Sequence, residues 1–573
     1  MQYIPLARRP FSPAWVVHDL KAMDVECTFC CALLWLDERL SNSSKTNPRF
    51  GMCCYQGKVK PPYHNPIPPE LHRLLTHNDE SGFRNHIRNY NQALAFTSVG
   101  RKVDNTLNRT GGGPYSFRLF GELIHQAGSL LPPPGKPPAW AQLYIYDSAQ
   151  ALNYCMGHSA NSTLDRSTMQ TLQDMLYHHH PSVQLYKHAF QITQGMSSEQ
   201  NCSIVLRFDP HTDRPQDCQD IILHCNAGYL ESIKDTNPLY PCLHYVLLHP
   251  TGQLGWHRFI PYKEVEDQQR QNKRKYMTLA EFHRFYLLPH PPHIKSNHLF
   301  LAGKLFQEYV CEIWAVAEQN RLNYHRLNQK KLRVEVYQGL QDAVAADADV
   351  DPNELGMRFI LPSTFPGSTR NMQQHSQDAL AINRYFGGGD LFITMTANPA
   401  WPEITSALMY DQKAPDRPDL VVRVFQAKLQ SLLKDIARGV LGQVAAYLYT
   451  IEFQKRGLPH AHIIVFLKPH AKLHTPEDID SLMSSEFPID NDILLQLIKK
   501  FMVHTPCGNQ NPSAPCMVNG SCSKSFPKAF RAETTVTKDS YACTRHHDTG
   551  QVFEIQRREV NNQWVVCHSP YLI

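Results

Sequence analysis

Two apolar stretches joined by a short loop constrain the fold of this chain more than any other feature of its sequence. Residues 443–467 read QVAAYLYTIEFQKRGLPHAHIIVFL, with an alternating pattern before the loop at 455–459. A period of two predicts a half-buried strand, and the β-branched and aromatic run after the loop predicts a second strand. Because the connection is short and contains Gly and Pro, we expect an antiparallel β-hairpin.

The predicted hairpin gathers potential metal ligands on one face. A five-residue loop places Gln454 opposite His460 and Glu452 opposite His462, and all four side chains then project from the same side of the sheet. Two imidazoles and an oxygen donor suit Mn²⁺ or Zn²⁺, whereas a site completed by phosphate and water also accepts Mg²⁺. Structural strand histidines are the alternative, but the coincidence of four ligands favours a metal site.

The segments around this hairpin resemble a known protein family. Glu-Phe-Gln-Lys-Arg-Gly-Leu-Pro-His-Ala-His, from Glu452 to His462, is similar to the His-hydrophobe-His motif in the Rep-type endonuclease domain of Helitron transposons. The stretch DLFITMTANPAWPEI at 390–404 resembles the first Rep motif of that family, and DRPD at 416–419 with RVF at 423–425 resembles its intervening helix. The resemblance implies a metal-dependent DNA endonuclease or transposase of rolling-circle type.

Two groups of Cys and His residues have spacings that suit tetrahedral Zn²⁺. The first group comprises Cys27, Cys30, Cys53 and Cys54. The second group comprises His504, Cys507, Cys516 and Cys522. Because the adjacent Cys53 and Cys54 form an awkward pair of ligands, Cys31 or His18 is an alternative in the first site, and buried free thiols are the alternative to zinc. Both segments also resemble cysteine-bearing stretches of Helitron proteins.

The charge balance limits how the chain can bind nucleic acid. Fifty-seven Lys and Arg residues against 52 Asp and Glu residues give a net charge of +5, which does not by itself predict DNA binding. Local basic groups must therefore provide the contacts. The candidates are Lys455, Arg456, Lys524 and Lys528. A solvated charged face is the alternative for each, and the family resemblance implies single-stranded DNA as the partner.

Hydropathy and cysteine content indicate the compartment. No stretch reaches the roughly 18 consecutive apolar residues of a membrane span, and the first 13 residues lack the apolar core of a signal peptide. We therefore expect an intracellular protein without a membrane partner, and the resemblance implies the nucleus. In a reducing compartment, the 16 cysteines are expected to be thiols or metal ligands.

The 573 residues predict a multidomain α+β protein. The expected core is an antiparallel sheet of Rep type with helices on one face, preceded by zinc-finger-like and β-rich modules. The expected segments are a zinc-finger-like module at 1–80, a β-rich module at 81–160 with a strand near 140–146, a mixed module at 161–280, a helical region at 281–360, the metal-binding core at 361–470 and a Cys/His-rich extension at 471–573.

The nucleophile implied by the resemblance is not identified. In the family, a tyrosine from a helix beyond the metal motif attacks the scissile phosphate, but only Tyr541 and Tyr571 follow the second strand, and neither lies in a paired-tyrosine helix. A Gly-x4-Gly-Lys-Ser/Thr phosphate loop is also absent. We therefore expect a truncated Rep fragment that binds single-stranded DNA and metal. An active nickase using an unusual tyrosine, and a non-catalytic zinc-stabilised DNA-binding scaffold, are the alternatives.

Overall fold

The structure is a computed structural model of the chain. It describes residues 4–15, 17–63, 65–77, 82–103, 119–127, 132, 137–193, 202–208, 219–225, 231–233, 237–263, 274–294, 297–329, 361–409, 411–454, 457–504, 507–537, 542–555 and 557–573.

The described residues include thirteen α-helices that are spread over most of the chain. They are α1 (Pro69–Thr76), α2 (Phe83–Leu94), α3 (Ser148–Gly157), α4 (Arg166–His179), α5 (Pro181–Thr193), α6 (Tyr240–His244), α7 (Leu279–Tyr286), α8 (Gly303–Leu327), α9 (Thr369–Phe386), α10 (Pro402–Thr405), α11 (Pro418–Ala437), α12 (Pro476–Leu482) and α13 (Asp492–Phe501).

The described strands form small antiparallel sheets. They are β1 (Val25–Glu26), β2 (Leu33–Leu34), β3 (Ser98–Val103), β4 (Leu119–Ala127), β5 (Cys202–Phe208), β6 (Gln219–Cys225), β7 (Glu231–Ile233), β8 (Leu391–Thr396), β9 (Val444–Phe453), β10 (Pro459–Leu467), β11 (Met517–Val518), β12 (Ser521–Cys522), β13 (Thr535–Val536), β14 (Ala542–Cys543), β15 (Phe553–Ile555) and β16 (Arg558–Val560). The expected α+β class is confirmed.

A three-stranded antiparallel sheet in the order β8-β10-β9 lies at the centre of the region from 361 to 470. β10 occupies the middle because its Ala461, Ile463 and Val465 are fully buried, as suits a strand paired on both sides. The long helix α11 packs against this face, and its apolar stripe shares one hydrophobic cluster with the three β10 residues.

The opposite face of the sheet is open along β8. Phe392, Thr394 and Thr396 alternate with the more buried Leu391 and Ile393, so the residues of even number face solvent. This open side, called the metal face below, carries the candidate ligands.

Two glycines link α9 to the sheet, one because of its backbone conformation and the other because a side chain would have no room. Gly387 ends α9 with φ at 75°, the left-handed conformation that favours glycine at a helix end. A Cβ atom added to Gly389 would lie 2.4 Å from the Cγ2 atom of Ile464 on the metal face. Gly387 and Gly389 therefore each have a local structural reason.

The amino-terminal segment packs on the sheet region. Ala7, Leu20 and Trp35 belong to the same buried cluster as α11 and β10. The guanidinium group of Arg423 donates two hydrogen bonds to the carboxylate of Glu38, at 2.8 and 2.7 Å. These contacts join residues that are 385 positions apart in sequence.

The other large cluster of buried residues runs from Cys27 to Tyr309 and includes residues of α1 to α8. The proposed domain boundaries at 80, 160 and 280 therefore fall within one continuous set of apolar contacts, and the boundaries themselves stay a prediction.

The β-strand expected near 140–146 is wrong. Residues Trp140–Ile145 form a 3-10 helix, because Trp140 has a φ of 49° and the side chain of Gln142 accepts the N–H of Ala139 at 3.0 Å. A left-handed residue interrupts an extended strand.

Among the described residues, no helix combines the length and the apolar character that are needed to cross a bilayer.

Candidate functional site

The hairpin of β9 and β10 brings candidate metal ligands together, although in a register that differs from the prediction. Glu452, not Gln454, lies opposite His460, and Thr450 lies opposite His462. The pairing is displaced by two residues because the turn already closes at Gln454, whose carbonyl accepts the N–H of Gly457 at 2.7 Å. A displacement by two keeps every side chain on its predicted face.

Three residues at the turn of the hairpin were candidate site residues, Gln454 as a metal ligand and Lys455 and Arg456 as DNA contacts. Gln454 is exposed just beyond the end of β9, and its backbone N–H donates to the carbonyl of Leu458 at 3.0 Å. Lys455 and Arg456, which were expected to contact DNA, lie outside the described residues.

Three candidate ligands converge on the metal face. One ligand atom from each of Glu452, His460 and His462 lies within 4.8 Å of the other two. The Oε1 atom of Glu452 reaches diagonally to Nε2 of His462 at 3.1 Å, and the two imidazole rings are 4.5 Å apart. Such spacing suits side chains that share one cation.

The surroundings of His460 hold its imidazole in position and favour its neutral form. Oγ1 of Thr396 lies 2.6 Å from Nδ1 of His460, which leaves Nε2 of that ring for a cation. Burial lowers the pKa of His460, and repulsion by His462 adds to this effect, while Glu452 opposes it. A neutral imidazole is the form that binds a metal ion.

The first cysteine group is assembled by the turn that joins β1 to β2, which carries Cys27 and Cys30, and by a second tight turn that begins at Cys53. Its sulfur atoms lie within 4.8 Å of one another, and the Sγ distances are 3.8 Å from Cys27 to Cys54 and 3.7 Å from Cys53 to Cys54. The adjacent pair is accommodated because Tyr55, Gln56 and Gly57 all have positive φ and turn the chain back sharply. These separations match those of sulfur atoms around a Zn²⁺ ion.

The alternative ligands in the first group are not brought to it. The ring of His18 instead contacts the carboxylate of Asp37 at 3.0 Å. Cys31 adopts a left-handed conformation with a φ of 57°, and the group of sulfur atoms does not include its thiol.

The four thiols of this group do not ionise independently. Hydrogen bonding from the thiol of Cys30 lowers the pKa of Cys27, and the same interaction raises the pKa of Cys30. Like charges packed this closely repel one another. A bound cation would allow all four sulfur atoms to be thiolates, so the donor set fits a metal ion.

The second group forms around the β11–β12 hairpin. Nε2 of His504 lies 3.7 Å from Sγ of Cys507 and 3.5 Å from Sγ of Cys522, and Cys516 completes the set. The imidazole ring stacks on Phe526 with a centroid distance of 4.3 Å. The histidine is thereby oriented by packing before any ion is bound.

The thiols of the second group have divergent acidities. Burial raises the pKa of Cys507 to about 12. Burial also acts to raise the pKa of Cys522, but the N–H groups of Phe526 and Lys524 outweigh it and lower the pKa to about 7. Burial and then the positive charges of Lys528 and Lys524 lower the pKa of His504. This local environment favours a thiolate at Cys522 and a neutral imidazole at His504, whereas it favours the thiol at Cys507.

A family comparison covers the part of the chain that carries the metal face. The profile described as the Helitron helicase-like domain at the N-terminus matches residues 282–465, which include β8, α11, β9 and His460 and His462 of β10. The resemblance to the Helitron family is confirmed. No curated protein shows a significant similarity to the chain.

Two tyrosines that follow the Helitron-like domain, Tyr541 and Tyr571, were the candidates for the nucleophile. Tyr541 lies outside the described residues. Tyr571 is half-buried against the cluster of α11 and lies edge-on to Trp15 at a centroid distance of 5.1 Å. Burial raises the pKa of Tyr571. This setting does not activate a hydroxyl as a nucleophile.

A further group of titratable side chains was not anticipated from the sequence. His244, Glu308 and Glu312 are buried, with ligand atoms within 4.8 Å of one another. Glu308 forms an ion pair with Arg88, and Glu312 accepts hydrogen bonds from the hydroxyls of two tyrosines, Tyr240 and Tyr245. The spacing of four residues between the glutamates on α8 was the available signal, but it does not reveal a partner 64 positions away.

Proposed function

We propose that this Helitron-related protein binds single-stranded DNA across the metal face and holds a divalent cation there, as Rep-type endonuclease domains do. The observation that supports the proposal is the convergence of Glu452, His460 and His462 on a sheet face that α11 leaves uncovered. A phosphate group of DNA would complete the coordination of the cation together with water. Mn²⁺ or Mg²⁺ is the proposed metal.

In this site, side chains of the protein would bind the cation and keep its ligands in the right orientation. The imidazoles would supply neutral nitrogen donors, and the carboxylate of Glu452 would supply a charged oxygen. The bound cation would polarise a phosphate oxygen. Thr396 would keep the ring of His460 in one orientation through its hydroxyl.

The metal proposal is tested with Mn²⁺ titrations of the wild-type protein and the His460→Ala/His462→Ala double variant. We expect the double variant to lose this Mn²⁺ site, because both nitrogen donors are removed. His470→Ala is the matched control, since His470 is an exposed histidine whose ring contacts Gln443 at 2.9 Å away from the ligand group. Equal Mn²⁺ affinity in wild type and double variant would refute the proposal.

Basic residues beside the second cysteine group are proposed to contact DNA phosphates. Nζ of Lys528 lies 4.9 Å from the centroid of the Phe526 ring, and the backbone N–H of Lys524 donates to Sγ of Cys522 at 3.4 Å. Each phosphate contact to a single strand contributes about −0.7 to the slope of log affinity against log salt concentration. We expect the Lys524→Ala/Lys528→Ala variant to reduce the slope by about 1.4.

The control for this measurement is Lys434→Ala, an exposed lysine on α11. It should leave the salt dependence unchanged. Oligonucleotide binding is followed by fluorescence anisotropy at several salt concentrations. A double variant with the wild-type slope would remove these two lysines from the proposed DNA surface, whereas absence of binding by the wild type would refute single-stranded DNA as the partner.

Both cysteine groups are proposed to hold structural Zn²⁺, since four soft donors at these separations suit a tetrahedral ion. We expect two zinc ions per purified chain by elemental analysis and one after Cys30→Ser. Cys31→Ser is the matched control, because its thiol lies outside the group. A chain that contains no zinc, or an equal loss in both variants, would contradict this assignment.

DNA nicking is tested separately by a denaturing gel that detects a covalent protein–DNA adduct. Because Tyr571 packs against Trp15, we expect no covalent adduct when the protein is incubated with single-stranded DNA and Mn²⁺. A denaturation-resistant adduct that disappears in Tyr571→Phe or Tyr541→Phe would favour the nickase instead. Residence in the nucleus is proposed on the same grounds as the DNA partner.

A further inference from the structure

An aromatic side chain lies beside the candidate ligands on the metal face without being part of them. Phe392 is on β8, opposite Ile464 of β10, and therefore two positions along the sheet from the pair Thr394 and His462. Its side chain is 66% exposed, although the neighbouring Leu391 is buried on the other face. Single exposed apolar residues are common, so the informative observation is the position of this ring beside the candidate ligands and not its exposure alone.

The ring of Phe392 stacks against the imidazole of His462. Its centroid lies 5.6 Å from that of the His462 imidazole, and the two planes differ by only 19°. One side of the phenyl ring is thus partly covered by His462, while most of the side chain remains open to solvent. An exposed aromatic face fixed in this way is a platform on which a flat apolar group can stack.

We propose that Phe392 stacks a nucleobase of the single strand whose phosphate is bound at Glu452, His460 and His462. The proposal rests on the proposed function, because the cation would fix the phosphate. A base is covalently tied to its own phosphate through one sugar, so a strand anchored beside His462 brings a base within reach of the neighbouring ring. Every base has a π-face, and the contact would therefore accept any of the four bases.

The stacking contact would fix how the nucleotide bound at the cation is oriented. Phosphate binding alone leaves the sugar and base of that nucleotide free to rotate about the phosphate, because no base is contacted. A ring at a fixed distance from the ligands selects one rotation of the bound nucleotide. Phe392 is accordingly a positioning residue.

The test compares Phe392→Ala with Phe453→Ala. Phe453 is a matched control because it is also exposed, at 59%, and lies in the same sheet, but alternation from Glu452 puts it on the opposite face. Affinity for a fluorescent single-stranded oligonucleotide is measured with Mn²⁺ present. We expect Phe392→Ala to weaken binding by about 5- to 150-fold, the range for loss of one base stack, and Phe453→Ala to have no effect.

A second experiment removes the stacked base instead of the ring of Phe392. An abasic site is moved one nucleotide at a time through the shortest oligonucleotide that still binds, so that the strand has no room to shift. Each substitution deletes one base and keeps every phosphate. One abasic position should weaken binding to wild type by the same factor as Phe392→Ala, and the same position should have no further effect in the variant. This non-additivity assigns the lost affinity to a contact between the ring and one base.

The outcomes separate this inference from the function on which it rests. Failure of the wild type to bind the oligonucleotide would overturn both. Wild-type affinity in Phe392→Ala would overturn the inference alone, because cation and phosphate contacts would remain. A loss of Mn²⁺ affinity in Phe392→Ala without DNA, equal to its loss of DNA affinity, would show that the ring only supports His462 and would also overturn it.

Discussion

Acid should destabilise the large cluster that runs from Cys27 to Tyr309, because it buries histidines in their neutral form. Burial lowers the pKa of His180 to about 4 and the pKa values of His249 and His283 to about 3, against an ordinary value of 6.5. Hydrogen bonding to the carbonyl of Cys242 partly opposes the change at His180, and nearby histidines add to it at His249. The unfolded chain therefore binds protons at a higher pH than the folded chain does.

The size of the effect follows from this linkage. The contribution is fully present above pH 6.5 and is lost progressively as the pH falls toward the lowered values. At pH 5, each histidine protonated only in the unfolded state reduces the free energy of unfolding by about 2 kcal/mol relative to pH 7, so the three together reach about 6 kcal/mol. That is a large part of the stability of an ordinary domain.

Variant His283→Gln isolates one of these groups. His283 lies on α7, buried against the ring of Tyr309. The free energy of unfolding in urea is measured at pH 7 and at pH 5 by circular dichroism. The change in this free energy between the two pH values is then compared between wild type and variant. This comparison cancels the contributions of carboxylates and cysteine groups, which both proteins share. We expect the difference to be smaller by about 2 kcal/mol in the variant.

The control is His72→Gln, an exposed histidine on α1. It should have the wild-type pH dependence. An unchanged pH dependence in His283→Gln would refute the reasoning. If that variant does not fold, the ring resonances of the wild type, titrated by NMR, provide the same decision, since a buried histidine that protonates near pH 6.5 contradicts it.

Three further predictions concern contacts described above. Arg423→Ala should lower the free energy of unfolding by about 3 kcal/mol, because it leaves the carboxylate of Glu38 buried without its bidentate partner. The control Arg438→Ala, which removes an exposed ion pair, should lower it by less than about 0.5 kcal/mol. Gly389→Ala should lower the midpoint of thermal unfolding because the added Cβ atom has no room, whereas Gly157→Ala, which meets nothing within 4 Å, should not. Thr396→Val should weaken Mn²⁺ affinity about 10- to 100-fold by freeing the histidine ring that its hydroxyl orients, and wild-type affinity would contradict that role.

Local sequence patterns were sufficient for the elements that form the metal face. The alternation before Lys455 and the apolar run after Pro459 predicted β9 and β10, because a strand with one buried face shows this period in its own residues. The register was displaced by two residues because it depends on where the turn closes. That is decided by the backbone bond between Gln454 and Gly457, which composition does not reveal.

Contacts between distant segments were beyond sequence reasoning. The cysteine spacing predicted which thiols lie together, but the choice of Cys54 over Cys31 depends on successive positive φ angles in the turn that follows. The group of His244, Glu308 and Glu312 brings together two elements, and no pattern in their sequences indicates that they are neighbours in space. Phe392 has the same residue type as many core positions, and only its face of the sheet distinguishes it.

The docking of the amino-terminal segment on α11 has a consequence for how the chain folds during synthesis. Glu38 leaves the ribosome 385 residues before its partner Arg423. At about 5 to 20 residues per second, the interval is roughly 20 to 80 s. During that time Leu20 and Trp35 have no apolar surface from α11 to cover them. The sheet region therefore completes its core late, and the early segment is where a nascent chain of this protein would depend on chaperones.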